Sequence, residues 1–112
     1  MPYDEHLADR IRLSLKQKKV AFEEKKMMGG LCFMVDDKMC MGVEKNKLMA
    51  RVGADNYETS LKKKGCRPMD ITGKPLKGFV FVEPKGIDLD KDLEYWVNLC
   101  LAHNPNAKSS KK

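Results

Sequence analysis

The side chains best suited to chemistry in this chain are four cysteines, Cys32, Cys40, Cys66 and Cys100, and two histidines, His6 and His103. A zinc site draws Cys and His in closely spaced pairs. No two of these cysteines form a CxxC, so no metal ligand set is expected. Cys32, Cys40 and Cys100 lie within apolar runs, where a free thiol behaves as a small buried hydrophobe. Two disulfides are arithmetically open, but nothing points to an oxidising compartment, and reduced thiols are expected. No P-loop, GxGxxG or GxSxG is present. Gly29-Gly30 has no helix start after it and no lysine placed for a phosphate. It reads as a bulge, bend or close backbone approach within a strand. Asp36-Asp37 reads as hairpin-turn chemistry rather than a metal carboxylate pair. Glu23-Glu24 reads as a solvated strand edge. His103 falls at the end of the last helix, where a cation complements the dipole. His6 falls in the exposed first turn of the first helix. No catalytic, cofactor-binding or metal-binding residue is assigned, and no cofactor is expected.

What remains is binding. The chain has eight methionines, and Met27, Met28, Met34, Met39, Met41 and Met49 fall in one stretch. Methionine fills irregular cores and also serves adaptable binding surfaces. The candidate interaction surface is Met27, Met28, Gly29, Gly30, Phe33, Met39, Met41 and Arg51. The charge balance is 22 Lys+Arg against 16 Asp+Glu, a net +6. Such an excess can favour nucleic acid. However, the clusters at Lys16, Lys18 and Lys19 and at Lys62, Lys63 and Lys64 fall at expected helix ends, and a third lies in the tail. Arginine, the better residue for phosphate and base recognition, is scarce.

The elements that must position these residues follow from periodicity. Residues 4 to about 18 form an amphipathic helix capped by Asp4, with Leu7, Ala8, Ile11 and Leu15 as its stripe. From 20 to 52 the chain reads as three antiparallel strands: Ala21 to Val35 with a bend at Gly29-Gly30, then Lys38 to Val43, then Lys47 to Val52. Strict alternation puts Met39, Met41 and Val43 on one face, and Leu48, Ala50 and Val52 on one face with Met49 and Arg51 opposite. A short helix over about 56 to 64 is capped by Asp55 and stopped by Gly65. Cys66 to Ile71 reads as an edge strand because Pro68 excludes a central one. Thr72 to Pro75 is a loop, and Phe79 to Val82 a strong strand. The last helix begins near Asp88, with Leu89, Leu93, Trp96, Val97, Cys100 and Leu101 as its stripe, and stops at Asn104-Pro105.

The expectation is one α+β domain over 1–104, ordered α-β(3)-α-β(2)-α, with helices packed on an antiparallel five-stranded sheet. A disordered basic tail is expected over 105–112. The chain's 112 residues suit a single core. The N-terminus does not read as a secretory signal and no apolar run is long enough to span a bilayer, so a cytoplasmic protein with no membrane partner is expected.

Several segments resemble the N-terminal domain of the TfoX/Sxy competence regulators. These are Lys25-Lys26-Met27-Met28-Gly29-Gly30-Leu31, Phe33, Val35-Asp36-Asp37-Lys38-Met39, and Leu48-Met49-Ala50-Arg51-Val52. Gly65-Cys66-Arg67-Pro68-Met69 and Gly78-Phe79-Val80-Phe81-Val82-Glu83-Pro84 continue the likeness, which covers roughly residues 5 to 104. Met28 replaces a common Phe, Asp37 a common Gly, and Met69 a common aromatic residue. The chain is similar to that domain standing alone. The resemblance implies a fold like that of secretion chaperones. It also implies a role in transcriptional coactivation of DNA-uptake genes without a defined enzymatic site.

Three readings stand. The favoured one is a non-catalytic regulatory or protein-interaction module, with a protein partner and a homodimer whose interface includes some of Met27, Met28, Phe33, Met39 and Met41. The second is a basic nucleic-acid-binding domain. The third is a small enzyme with an unrecognised pocket.

Overall fold

The computed structural model describes residues 3–27, 30–70 and 75–106. Helix α1 (Glu5–Gln17) starts at its expected cap. The Asp4 carboxylate accepts from the amides of His6 at 2.9 Å and Leu7 at 3.3 Å. This satisfies two of the amides a helix leaves open at its N-terminus. Leu7, Ala8, Ile11 and Leu15 form the buried stripe, joined by Ser14.

The expected bent strand before Val35 is instead two strands. β1 (Glu23–Met27) and β2 (Gly30–Val35) run antiparallel, with Met27 opposite Gly30. Two strand patterns separated by two residues are a hairpin signal; Met28 and Gly29 lie outside the described residues. Gly30 is nevertheless a close-approach glycine, since a Cβ there would sit 1.9 Å from the Val43 carbonyl oxygen. β2 turns into β3 (Lys38–Glu44) through Asp36 and Asp37, both at positive φ (55° and 64°). Two successive positive φ values match the twist of a tight hairpin, and Asp tolerates them. β4 (Lys47–Arg51) follows.

Helix α2 (Ala54–Leu61) is capped by Gly53 at φ 89°, not by Asp55, which sits in its first turn. β5 (Cys66–Asp70) and β6 (Pro75–Val82) complete a six-stranded sheet in the order β1-β2-β3-β4-β6-β5, with every neighbour antiparallel. Pro68 lies on an edge strand as expected. Helix α3 (Asp90–His103) begins two residues later than predicted. Leu89 precedes it and is 56% exposed, so it leaves the predicted stripe, whereas Leu93, Trp96, Val97 and Cys100 are buried. A single 3-10 turn over Asn104–Asn106 follows. Residues 107–112 lie outside the described set.

The domain is therefore α+β, with six strands among the described residues rather than five. All three helices pack on one face. Their buried residues join Leu31, Phe33, Val35, Cys40, Met41, Val43, Leu48, Ala50, Val52, Val80 and Val82 in one core. A Ser14 hydroxyl donating to Glu94 at 2.5 Å, and a Lys18–Glu94 ion pair, tie α1 to α3. Arg12 ties α1 to β1 by gripping both oxygens of Glu24, at 2.6 and 2.8 Å. That grip holds the Glu24 carboxyl below its usual range.

Candidate functional site

The outer face, away from the helices, carries a different set of side chains. Cys32, Met34, Met39, Met49 and Met69 are buried there, with Phe79 and Phe81 partly buried against them. A register shift builds this division. Phe33 pairs with Met41 and Met34 with Met39, so Cys40 is an extra residue on β3. A bulge places two residues against one and breaks strict alternation. Cys40 and Met41 therefore both face the helices, whereas Met39 turns to the outer face. The expected common face for Met39 and Met41 is thus corrected. On β4 the expected split holds: Leu48 and Ala50 face the helices, and Met49 and Arg51 face outward.

Cations sit among the rings on the outer face. The Arg51 guanidinium lies 5.2 Å from the centroid of Phe79, its cross-strand partner. Its Nη1 donates to the Met39 carbonyl at 3.3 Å. No carboxylate pairs with it among the described residues. Burial lowers its pKa, because removing water penalises the charged form. Lys47 Nζ lies 5.3 Å from the Phe81 centroid and 3.6 Å from Glu44. Arg67, directly across from Phe81, donates to Glu83 at 2.8 Å. That hydrogen bond pulls the Glu83 carboxyl below its usual range. Lys47, Arg67, Pro68 and Phe81 line an open slot of about 250 Å³.

The predicted interaction residues are not gathered into one surface. Phe33 and Met41 are fully buried beneath the helices. Gly30 is buried against β3. Met39 and Arg51 reach the outer face. Met28 and Gly29 lie outside the described residues, and of Met27 only the backbone pairing is described. Sequence reasoning missed Lys47, Arg67, Phe79 and Phe81. The signal for the last two was present: two phenylalanines two residues apart in a strand whose alternate valines fill the core.

No disulfide joins the four cysteines, and their thiols are suppressed. Burial pushes Cys32 and Cys66 up to about 11, Cys40 to about 12, and Cys100 well above its usual value. The thiolate is the reactive form, so none is activated as a nucleophile. His103 does more than end a helix. It packs on Gly53, where a Cβ would sit 2.5 Å from its Nδ1. Its pKa is lowered by burial first and by Arg51 second, against an opposing pull from Asp55. The cavity of about 390 Å³ beside it is lined by His103 and Asp55, with no Ser, Thr or Cys for them to activate.

The fold and this face define a small α+β domain with helices on one side of its sheet and, on the other, buried methionines beneath partly exposed phenylalanines and cations. The model of the TfoX N-terminal domain family matches residues 13–104, and the chain belongs to that family. No curated protein and no solved structure matches it. No helix among the described residues is long and apolar enough to cross a membrane.

Proposed function

We propose that this chain is a non-catalytic regulatory module of the TfoX N-terminal type, which meets its partner through the outer sheet face and acts in transcriptional control of DNA uptake. The observation that carries the reading is the division of the sheet. One face is consumed by the helix-covered core, while the other presents Arg51, Lys47 and Arg67 around two partly exposed rings. Methionine and arginine flanked by aromatics are residue types enriched at interaction surfaces. Family membership supports the regulatory role. The module's place is the cytoplasm, where free thiols persist.

The test is genetic. Cells lacking the chain are complemented with the wild type, Phe81→Ala or Arg67→Glu, and transcripts of DNA-uptake genes are measured. The reading expects loss on deletion and failure of both folded variants to restore it. Transcripts insensitive to deletion refute the regulatory role. Full restoration by both variants refutes the face.

A further inference from the structure

We infer that the outer face over β4, β6 and β5 is a binding platform for single-stranded DNA, with the slot beside Phe81 taking one base and Lys47, Arg51 and Arg67 taking the flanking phosphates. The inference deepens the proposed function and rests on its reading of that face as the working surface.

The geometry is that of an open sheet with all its helices behind it. Phe79 and Phe81 stand two residues apart on β6, which spaces their rings about 7 Å along the strand. Single-strand binders present aromatic rings on such a sheet and line the path with cations. Here the cations alternate with the rings: Arg67 is across from Phe81 on one side, and Lys47 and Arg51 lie over the rings from β4. The slot of about 250 Å³ is lined by the apolar Phe81 and Pro68 and by the charged Lys47 and Arg67. An aromatic ring suits a planar base and the two cations suit a phosphate.

Charge complementarity favours an anion over an apolar partner. Among the described residues Lys47, Arg51 and Arg67 meet Glu44 and Glu83, and Glu83 is shared with Lys85, so the patch keeps an excess of positive charge. Arg51 in particular is partly desolvated without a carboxylate beside it among the described residues. A phosphate would supply that partner and form charge-assisted hydrogen bonds with its guanidinium. The described slot residues offer no side-chain acceptor to a ribose 2′-hydroxyl proton, the group that lets a protein select RNA. We therefore assign DNA. Stacking on a ring requires an unpaired base, so duplex is excluded.

Fluorescence anisotropy with a labelled oligothymidylate of about twelve nucleotides tests this on the full chain. Binding should weaken more than about tenfold between about 50 and about 200 mM salt, as three cation–phosphate contacts require on a single strand. Phe81→Ala should weaken it about tenfold, the loss expected for one stacked base. Arg67→Glu, at an exposed edge position, should weaken it without disturbing the fold, with circular dichroism as the check. Lys91→Glu makes the same change in net charge behind the sheet and should leave binding unchanged. The inference is overturned by no measurable binding, by equal losses in Lys91→Glu and Arg67→Glu, by tighter binding of duplex, or by preference for an oligouridylate. If DNA does not bind yet the two face variants still fail to restore transcription, the DNA assignment falls and the proposed function stands. If DNA binds as stated but deletion leaves transcripts unchanged, the regulatory role falls and the platform stands.

Discussion

Replacing Trp96 by alanine tests whether the last helix anchors the domain. Trp96 is 2% exposed and belongs to the core shared by α1, α3 and the sheet. Its ring meets Tyr95 edge-on at 5.2 Å between centroids. Deleting a buried Phe or Trp to Ala costs about 3–5 kcal/mol, the spread reflecting how well the site collapses. One side of Trp96 borders an open cavity of about 360 Å³ shared with Lys63, Lys64 and Tyr95. Water and the flexible lysines can enter the space the indole leaves, so the low end applies, about 3 kcal/mol. At about 4 °C per kcal/mol for a domain of this size, the midpoint should fall by about 12 °C. Thermal melts followed by far-UV circular dichroism read this directly. Tyr95→Ala, removing a 40% exposed ring on the same helix, is the companion and should cost about 1 kcal/mol. A Trp96→Ala midpoint within about 4 °C of the wild type would refute the anchoring. A Tyr95→Ala loss as large as that of Trp96→Ala would show that the burial has been assigned to the wrong ring.

Gly30→Ala should destabilise by more than about 1–3 kcal/mol, because the new Cβ would meet the Val43 carbonyl at 1.9 Å and β3 would have to move; a denaturant midpoint equal to the wild type contradicts this. His103 has a folded pKa below its ordinary value, so the unfolded chain binds the extra proton first as pH falls. Its contribution is therefore full above the unfolded pKa, about 6.5, and declines on acidification through that value toward the folded one. His103→Gln should flatten the pH dependence of the midpoint in that window, and an unchanged slope counts against the burial of the imidazole. Glu24 and Glu94, held below their usual range by Arg12 and by Lys18, add a second loss at lower pH, as they are protonated. In the native state at neutral pH the thiols should label slowly, half-buried Cys66 first. In denaturant without reductant four thiols should titrate, and a count of two or fewer refutes the free-thiol state.

The α1 cap and stripe, the Asp36-Asp37 turn and the edge position of Pro68 were legible because each rests on neighbours in sequence. A side-chain cap, two residues tolerant of positive φ, and a missing amide act locally. The first hairpin was misread because a pair of glycines is compatible with both a bend and a reversal. Gly30 itself is fixed by β3, whose Val43 lies thirteen positions further along the chain. The cap of α2 was misassigned for a related reason. Asp55 has capping chemistry, but the chain turns at Gly53, where positive φ and the approach of His103 leave no room for a side chain. The bulge at Cys40 was hidden because Met39, Cys40, Met41 and Val43 are all apolar, so no change of polarity marks the slip of phase. That slip put Met39 and Met41 on opposite faces.

The same bulge explains how one thin sheet can serve two ends. Side chains of opposite faces share a backbone but not a core. The helix side must be close-packed, since it supplies most of the stabilising burial, and it holds Phe33, Met41, Trp96 and Val97 at no more than 2% exposure. The outer side lacks a helix among the described residues, so its methionines depend on the sheet's own long side chains for cover. Lys47 and Arg51 lay their stems and charges over Phe81 and Phe79. Long basic side chains can shield apolar surface in this way while keeping their charged ends near water. Such a cover is movable, unlike a packed helix. When a ligand meets the charged ends, the stems can shift without opening the core beneath α1 and α3. Substitutions at Arg51, Arg67 and Phe81 should therefore alter recognition more than folding, and substitutions at Phe33 or Met41 should do the reverse, which is the opposite of the ranking that the methionine-rich stretch alone suggests.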